Sequence, residues 1–478
     1  MSERSSVGFF DGVSDRTLGY LRRAWREIAG SARGVLTGIP RPDLPDDDAA
    51  RLRQQMRSCL DGQASEVTAR ARAADLGRTY LALNAAGQER FLRLLAEEFD
   101  IDHEAVARAA AVLAAAEAPA ERDAAERAMR VALLPPRVTL LRQFNALPEG
   151  VKFLVDRRAE LVARRNDPAM RGLAEDLRDL LADWFDIGFL ELKRITWEAP
   201  AALLEKLIKY EAVHEIRGWT DLKNRVEADR RCFAFFHPRM PDEPLIFVEV
   251  ALVNGIAGDV RALLDENAPV SDPAAADTAI FYSISNCQNG LVGISFGDFL
   301  IKRVVDALTA ELPGLKTFAT LSPVPGFRDW LAGAAAKGGD LLLPVEAKLL
   351  TPLAEATVAT PEETLLRLLD MPGWYREAAV AGAVKGPLMR LCAHYLVGER
   401  SRPGRALDPV AHFHLSNGAR VEQLNWLGDV SIKGMQQSAG IMVNYRYQLG
   451  DIEANHESYR GEGKVTAAPA VQALARDS

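Results

Sequence analysis

The spacing of apolar residues changes once along the chain, and this change limits the folds that the sequence can adopt. From about residue 47 to about 187, apolar residues recur every three or four positions, as in AGQERFLRLLAEEFD (86–100) and MRGLAEDLRDLLADWFD (170–186). This spacing predicts amphipathic helices, each burying one face. Asp167 followed by Pro168 is typical of a helix start. We therefore predict an all-α helical bundle for this part.

Short β-branched and aromatic runs, separated by helical segments such as 296–312 and 361–370, follow the stretch GFLELKRITW (188–197). The runs are CFAFFHP (232–238), PLIFVEVALV (244–253), TAIFYSIS (278–285), TFATLSPV (317–324) and HFHLSNGARVEQLNWL (412–427). The proline-rich HPRMPDEP (237–244) predicts a hairpin connection, which favours a mixed or antiparallel sheet over a fully parallel one. A chain of 478 residues exceeds what one core serves. We predict an α+β protein, with a helical domain at 1–188 and a mixed-sheet α/β domain at 189–478.

Composition and charge exclude several classes of function. A net charge of −8 argues against a non-specific nucleic-acid binder, which needs a concentrated basic face. We expect no membrane partner, because no run of about eighteen apolar residues occurs and the N-terminus lacks the apolar segment of a secretory signal. The four cysteines have no CxxC spacing, which argues against a zinc ribbon or a disulfide scaffold and favours the cytoplasm.

A glycine-rich turn lies between a predicted strand and a predicted helix in AIFYSISNCQNGLVGISFGDFLIKRVV (279–305). Unpaired N–H groups at a helix start favour phosphate, although a purely structural turn is an equally good interpretation. The turn is neither a Walker A motif nor a good GxGxxG. Gln288 with Gly293 and Gly297 loosely resembles the loop with which GNAT acetyltransferases hold the pyrophosphate of coenzyme A. A coenzyme A thioester is therefore a candidate ligand.

Two histidines, His412 and His414, stand on either side of one phenylalanine in VAHFHLSNGA (410–419). In a strand they would share a face, so they could bind zinc with a third ligand from His237, His394 or His456. They could also be ordinary histidines on a sheet, or one could be a catalytic acid. None of the possible third ligands lies in a metal motif, so we do not predict a metal site.

Four blocks in this order resemble the malonyl-CoA decarboxylase family: FYSISNCQNGLVGISFGDFLIKRVV, TLSPVPGFRDWL (320–331), ALDPVAHFHLSNGA (406–419) and VNYRY (443–447). The resemblance implies a helical domain, often used to form oligomers, followed by a GNAT-like catalytic domain. The implied reaction converts malonyl-CoA to acetyl-CoA and CO₂ without a metal or an organic cofactor. It also implies a homo-oligomer, a dimer or a tetramer, assembled through the helical domain.

The resemblance also assigns roles to individual residues. Ser322 would be a catalytic hydroxyl that orients the substrate carboxylate, His414 would protonate the enolate, and Tyr447 would lie near both. The resemblance selects His414 alone, and His412 would be either its neighbour on the sheet or a group that tunes its pKa. The segment along coenzyme A would contain Gln288, Val292, Gly293, Ile294, Ser295, Phe296, Gly297 and Asp298; some relatives have glutamate at the position of Ser295.

Loss of CO₂ from a malonyl thioester leaves an enolate, so the site must stabilise an oxygen and then protonate a carbon. The loop 292–298 or Tyr447 could donate to that oxygen. A neutral hydroxyl such as that of Ser322 holds the carboxylate without favouring its full charge, as an arginine would. Two alternatives stay open: a GNAT-fold acyltransferase, which needs an amine acceptor, and a scaffold that binds coenzyme A without turnover.

Overall fold

The structure, a computed structural model, describes residues 19–30, 40–60, 65–164, 166–294, 300–338, 341–353 and 360–476. The chain forms two compact units. The first contains Met1–Glu191 together with Phe236–Leu245 and Cys287–Phe296, and the second contains Leu192–Phe235, Ile246–Asn286 and Gly297–Ser478. Two short stretches of the second half of the sequence therefore belong to the first unit.

The first unit is helical, as its apolar spacing predicts. Its helices are 19–29, Asp46–Cys59, Glu66–Ala82, Ala85–Glu98, His103–Ala115, Pro119–Ala132, Pro136–Arg142, Gly150–Ala163 and Pro168–Trp184. The predicted start at Asp167 is confirmed, since its carboxylate accepts the N–H of Ala169 at 3.0 Å. Aromatic rings fill the core: Trp25 and Tyr80 each meet the ring of Phe153 edge to face, at centroid distances of 5.1 and 5.5 Å.

The second unit is built on a mixed sheet, which confirms the predicted fold class. The strands are β1 (Glu191–Ile195), β2 (Arg230–Phe236), β3 (Ile246–Val253), β4 (Thr278–Asn286), β5 (Thr317–Thr320), β6 (Ser322–Pro323), β7 (Arg400–Arg402), β8 (Arg405–Ala406), β9 (Arg420–Asn425) and β10 (Met442–Arg446). The main sheet has the order β1-β2-β3-β4-β5-β10-β6, with β9 also paired to β10. The pair β4–β5 is parallel, whereas β2–β3, β3–β4 and the pairs of β10 are antiparallel.

The predicted hairpin around HPRMPDEP is confirmed, because β2 and β3 pair antiparallel with Cys232 opposite Glu249. The strand predicted for 412–427 is wrong in its first half. Both histidines lie in the helix Pro409–Ser416, called here the His414 helix, and only Arg420–Asn425 is a strand. Asp408 caps this helix and Pro409 occupies its first turn, a start signal of the same kind as at Asp167 and Pro168.

The helices of the second unit are Ala201–Tyr210, Trp219–Arg225, Val260–Leu263, Leu300–Glu311, Phe327–Ala336, Pro344–Leu350, Pro361–Asp370, Ala378–Val397, Pro409–Ser416, Ile432–Ser438, Ile452–Glu462 and Pro469–Arg476. Ile280 and Tyr282 of β4 pack into a buried hydrophobic cluster with Leu321 and Met442. Residues of the same strand from Phe281 to Ile284 line a pocket. Across the described ranges, no helix combines the length and the apolar character that a membrane crossing requires.

Candidate active site

Three of the sequence-predicted residues meet inside the second unit. The Nε2 atom of His414 lies 3.2 Å from the Ser322 hydroxyl oxygen, and its Nδ1 atom lies 2.8 Å from the hydroxyl of Tyr447. All three side chains are buried, with exposed fractions of 6% for Ser322 and 3% for the other two. The structure therefore connects Ser322, His414 and Tyr447 through one imidazole ring.

The His414 helix is held at its start by a buried carboxylate. Asp408 accepts the backbone N–H groups of Val410 and Ala411 at 2.9 and 2.8 Å, and also that of Gly326. Burial raises the pKa of Asp408 to about 6, although these N–H groups act in the opposite direction. Since Gly326 follows Ser322 in the segment LSPVPGF, one carboxylate ties together the two segments that carry Ser322 and His414.

Strand pairing positions the other two residues. Ser322 in β6 lies opposite Val443 in β10, and Tyr447 directly follows β10, with its backbone N–H donating to the carbonyl of Phe318 at 2.8 Å. The ring of Tyr445 stacks on the imidazole of His414 at 4.6 Å with an interplanar angle of 24°. The imidazole is therefore fixed by two hydrogen-bond partners and one aromatic face.

A pocket of about 240 Å³ opens beside this cluster. Most of its wall is apolar, with Ser283, Asn286, Ser322 and His414 as polar members. The remaining lining residues are Val213, Ile246, Val248, Phe281, Tyr282, Ile284, Leu300, Ile301, Pro323, Pro409, Val410 and Phe413. Such a pocket can exclude water from a small acyl group and place its end against the imidazole and the hydroxyl.

Burial determines the protonation of the cluster. It lowers the pKa of His414 to about 3, so the imidazole is neutral at neutral pH. It also raises the pKa of the Tyr447 phenol well above the ordinary value, so that this phenol is protonated in the resting site. The site thus consists of neutral groups, each able to donate or accept a hydrogen bond.

The lowered pKa of His414 predicts acid sensitivity of the fold. Between pH 6.5 and pH 3 the unfolded imidazole binds a proton that the folded one does not, so stability falls as the pH falls through this range. From pH 7 to pH 5 we expect a loss from this residue of about 2 kcal/mol, which His414→Gln should abolish. Urea unfolding at both pH values measures this loss of stability. Because His103 is exposed, His103→Gln is the control for the removal of one imidazole. An identical loss of stability in wild type and His414→Gln would contradict the prediction.

A buried ionic network supports the loop on one side of the pocket. Arg225 donates to Asp221 at 2.8 Å and to Glu249 at 3.0 Å, and also to the backbone carbonyls of His214 and Glu215 at 2.9 and 3.0 Å. Burial raises the pKa of Glu249, and the neighbouring Arg225 guanidinium acts in the opposite direction. The guanidinium therefore fixes the loop that follows Val213, a residue of the pocket wall.

Two serines of β4 were missed from sequence. Ser283, in the pocket wall, donates to the carboxylate of Glu211 at 2.8 Å, and Ser285 donates to it at 3.1 Å. That carboxylate also accepts the N–H groups of Val213 and His214, at 2.9 and 2.8 Å. The signal was present in FYSISN, where two serines alternate with apolar residues and so share one face of a strand.

The predicted coenzyme A segment is described only in part. Ser295, Phe296, Gly297 and Asp298 lie outside the described residues, whereas Gln288, Val292, Gly293 and Ile294 belong to the first unit. The amide of Gln288 is buried and donates to the carbonyl of Pro244 at 2.9 Å.

The described part of this segment is held by helix Gly150–Ala163 of the same unit. Arg158 donates to the carbonyls of Gly290 and Val292, at 2.5 and 2.8 Å. A Cβ on Gly290 would stand 1.8 Å from the carbonyl oxygen of Val155, so only glycine fits there. Gly293 has a φ of +81°, which also favours glycine.

The interpretation of His412 as a sheet neighbour of His414 is wrong. On a helix, residues two apart point in different directions, and His412 is bonded through Nδ1 to the hydroxyl of Tyr459 at 2.8 Å. The pair therefore cannot act as a two-histidine metal clamp. In the part of the chain that the structure covers, no three histidine, cysteine, aspartate or glutamate side chains converge as metal ligands would.

Most of the chain is similar to known proteins of one family. Residues 188–478 match the family model described as malonyl-CoA decarboxylase C-terminal domain, and residues 99–185 match that of its N-terminal domain. The mitochondrial malonyl-CoA decarboxylase of Anser anser anser is 40% identical over 418 residues, covering 84% of this chain and 82% of the relative. That of Rattus norvegicus is 37% identical over 470 residues, covering 95% of this chain and 93% of the relative.

Solved structures agree with the sequence relatives. The crystal structure of malonyl-CoA decarboxylase from Rhodopseudomonas palustris has a TM-score of 0.81 at 42% identity, covering 89% of this chain and 99% of the other. The one from Agrobacterium vitis has a TM-score of 0.78 at 43% identity, covering 89% and 99%. Both domain models and these relatives, matched over most of their length, lead to one conclusion: the chain belongs to the malonyl-CoA decarboxylase family of carboxy-lyases.

Proposed function

We propose that this protein decarboxylates malonyl-CoA to acetyl-CoA and CO₂, with Ser322 orienting the carboxylate and His414 protonating the enolate. The observation that carries the proposal is the buried contact of 3.2 Å between Ser322 Oγ and His414 Nε2 at the wall of a mainly apolar pocket. A hydroxyl and an imidazole at one point supply a neutral partner for the carboxylate and a proton for the carbon.

The neutrality of the site supports the assignment. Decarboxylation removes a carboxylate charge, so surroundings that stabilise this charge strongly would oppose the reaction. Within the described residues, the pocket wall carries no arginine or lysine, and burial keeps His414 uncharged. The carboxylate then meets one hydroxyl proton, and this hydrogen bond orients the breaking C–C bond against the thioester carbonyl.

The contribution of the coenzyme A segment is proposed on the family resemblance. We propose that the loop 292–298 follows the substrate through its backbone N–H groups, which could also donate to the thioester oxygen for about 3–4 kcal/mol of stabilisation. Tyr447 is less suited to that oxygen, because its hydroxyl already pairs with Nδ1 of His414. Gln288 would act by shaping the loop, since its amide is bonded to Pro244.

Incubation of the purified protein with malonyl-CoA tests the function directly. We expect stoichiometric acetyl-CoA and CO₂, followed by mass spectrometry and CO₂ release, with no added metal or cofactor and no amine acceptor. Turnover of acetyl-CoA only when an amine is present would instead support the GNAT-fold acyltransferase. Binding of coenzyme A without any turnover would support the scaffold.

We also propose that residues 1–188 form the oligomerisation domain and 189–478 the catalytic domain. The two family models, at 99–185 and 188–478, support a boundary at this position. The helices His103–Ala115 and Pro119–Ala132 pack on each other and leave apolar side chains exposed, among them Val112 at 59% and Val131 at 75%. Exposed apolar side chains of this kind suit an interface between copies of the chain, in a dimer or a tetramer.

For the location, we propose the cytoplasm. All four cysteines are buried and free, in keeping with a reducing compartment. The relatives from goose and rat are named mitochondrial, so cell fractionation of the native source distinguishes the two compartments.

A further inference from the structure

Thr320 lies fully buried beside the candidate active site, at a break in the sheet. It ends β5, and Ser322 begins β6 two residues later. The backbone N–H of Tyr445 donates to the Thr320 side-chain oxygen at 3.1 Å, and the amide of Asn444 donates to the Thr320 carbonyl at 2.6 Å. Hydrogen bonds from two residues of β10 therefore fix both the backbone and the hydroxyl of Thr320.

The Thr320 oxygen also accepts the hydroxyl proton of Ser322, at 2.8 Å. A hydroxyl group carries a single proton, so this bond leaves only lone pairs on Ser322 Oγ to face the imidazole. The nitrogen that meets them at 3.2 Å, Nε2 of His414, must then supply the proton of their hydrogen bond.

The other side of the ring leads to the same assignment. Tyr447 holds one phenolic proton, and within the described chain its recorded hydrogen-bond partner is Nδ1 of His414, at 2.8 Å. A phenol that donates to Nδ1 needs an unprotonated nitrogen there. Both partners thus fit the neutral tautomer with the proton on Nε2.

We propose that Thr320 is a positioning residue that, through Ser322, keeps the proton of neutral His414 on Nε2, the nitrogen next to the pocket. This inference rests on the proposed function only where it names the acceptor of that proton, the substrate carbon. As CO₂ leaves, the electron pair of the enolate takes the Nε2 proton to form a C–H bond. Nδ1 takes the phenolic proton of Tyr447, so the negative charge of the former carboxylate resides on the phenolate. Water then protonates Nε2, and the Nδ1 proton returns to the phenolate, which restores the resting tautomer.

Arrival of the substrate requires only a rotation of one hydroxyl. The Ser322 proton turns from Thr320 to the malonyl carboxylate, while the oxygen stays where it is. Without the Thr320 hydroxyl, that proton is free in the resting site to donate to Nε2. The imidazole proton then shifts to Nδ1 and donates to Tyr447, so that no proton faces the substrate carbon.

Thr320→Val tests the inference, with Thr320→Ser as the variant that restores the hydroxyl. Thr364→Val is the control, because Thr364 is also buried and its hydroxyl donates to the carbonyl of Thr360, at the start of the helix Pro361–Asp370, which does not line the pocket. In protein labelled with ¹⁵N in its histidine rings, the His414 signals are those that disappear in His414→Gln. The ¹⁵N NMR shifts of the two ring nitrogens distinguish the tautomers. We expect the pattern of the Nε2–H tautomer in wild type, Thr320→Ser and Thr364→Val, and the pattern of the Nδ1–H tautomer in Thr320→Val.

Kinetics provides the second measurement. For Thr320→Val we expect kcat for malonyl-CoA to fall at least ~10-fold with KM changed by less than about threefold, because the acid and not the binding surface is altered. Thr320→Ser should recover kcat. Tyr447→Phe should lower kcat but keep the Nε2–H pattern. This result would distinguish loss of the proton that Tyr447 gives to Nδ1 from a change of the His414 tautomer.

The outcomes separate this inference from the proposed function. An inactive wild type with the Nε2–H pattern would reject the function and leave the tautomer in place. An active wild type with the Nδ1–H or the doubly protonated pattern would overturn the inference, as would a Thr320→Val protein with unchanged pattern and kcat. If Thr320→Val does not fold, Thr320→Ala removes the same hydroxyl and provides the comparison. The tautomer of His414 in the wild-type protein tests the inference independently of either variant.

Discussion

Replacing His414 by glutamine is expected to lower the rate of malonyl-CoA decarboxylation by about 10²–10⁴-fold, the usual contribution of a positioned general acid. Glutamine keeps polar atoms near Ser322 and Tyr447 but cannot deliver a proton to carbon. Ser322→Ala is expected to lower the rate at least ~10-fold, because the carboxylate loses the hydroxyl that orients it. Both variants should still bind malonyl-CoA, measured by titration calorimetry beside steady-state kinetics.

The matched control for this prediction lies two residues away. His412 belongs to the same helix, but its ring is bonded to Tyr459 and does not line the pocket. His412→Gln should therefore decarboxylate at nearly the wild-type rate. Near wild-type turnover in both His414→Gln and Ser322→Ala would reject the assignment of the site, whatever the behaviour of the control.

Removing the buried guanidinium of Arg225 should have the largest effect on stability. Its side chain and those of Asp221 and Glu249 are at most 3% exposed, so Arg225→Met leaves carboxylates without their partner in the interior. We expect the free energy of unfolding to fall by about 3–5 kcal/mol, measured by chemical denaturation.

A second arginine beside the same aspartate provides the control for the loss of one positive charge. Arg217 also approaches Asp221, at 3.6 Å, but its side chain is 69% exposed and pairs with Glu266. Arg217→Met should lower the unfolding free energy by less than about 1 kcal/mol, because water replaces an exposed ion pair. Equal losses in the two variants would show that burial does not determine the strength of this network.

The fold class was predictable because the first unit repeats the helical spacing of apolar residues many times, whereas the second alternates short β-branched and aromatic runs with helical segments. The error at 412–427 has a specific cause. Asp408 and Pro409 form the same start signal that identifies the helix at Asp167 and Pro168, but the aromatic alternation around His414 favoured a strand. The buried cap, which bonds two backbone N–H groups of its own helix, outweighs the weak strand preference of one phenylalanine between two histidines.

The identity of the site residues was available from the family blocks, whereas their hydrogen bonds were not. Ser322 and His414 are 92 residues apart, and the bond between them depends on how β6 and the His414 helix pack. The same is true of Thr320, which looks like an ordinary strand residue in TFATLSPV until Tyr445 and Ser322 are placed against its oxygen. Sequence patterns specify local structure, and such contacts arise only from the tertiary arrangement.

The division of the chain into units has a practical consequence for dissecting the protein. Because 236–245 and 287–296 belong to the helical unit, no single backbone cut separates one complete unit from the other. A fragment beginning near residue 192 would carry both stretches without the helix Gly150–Ala163, whose Arg158 binds the carbonyls at Gly290 and Val292. Gene fragments expressed separately should therefore complement each other poorly, and limited proteolysis near this junction should leave the pieces associated.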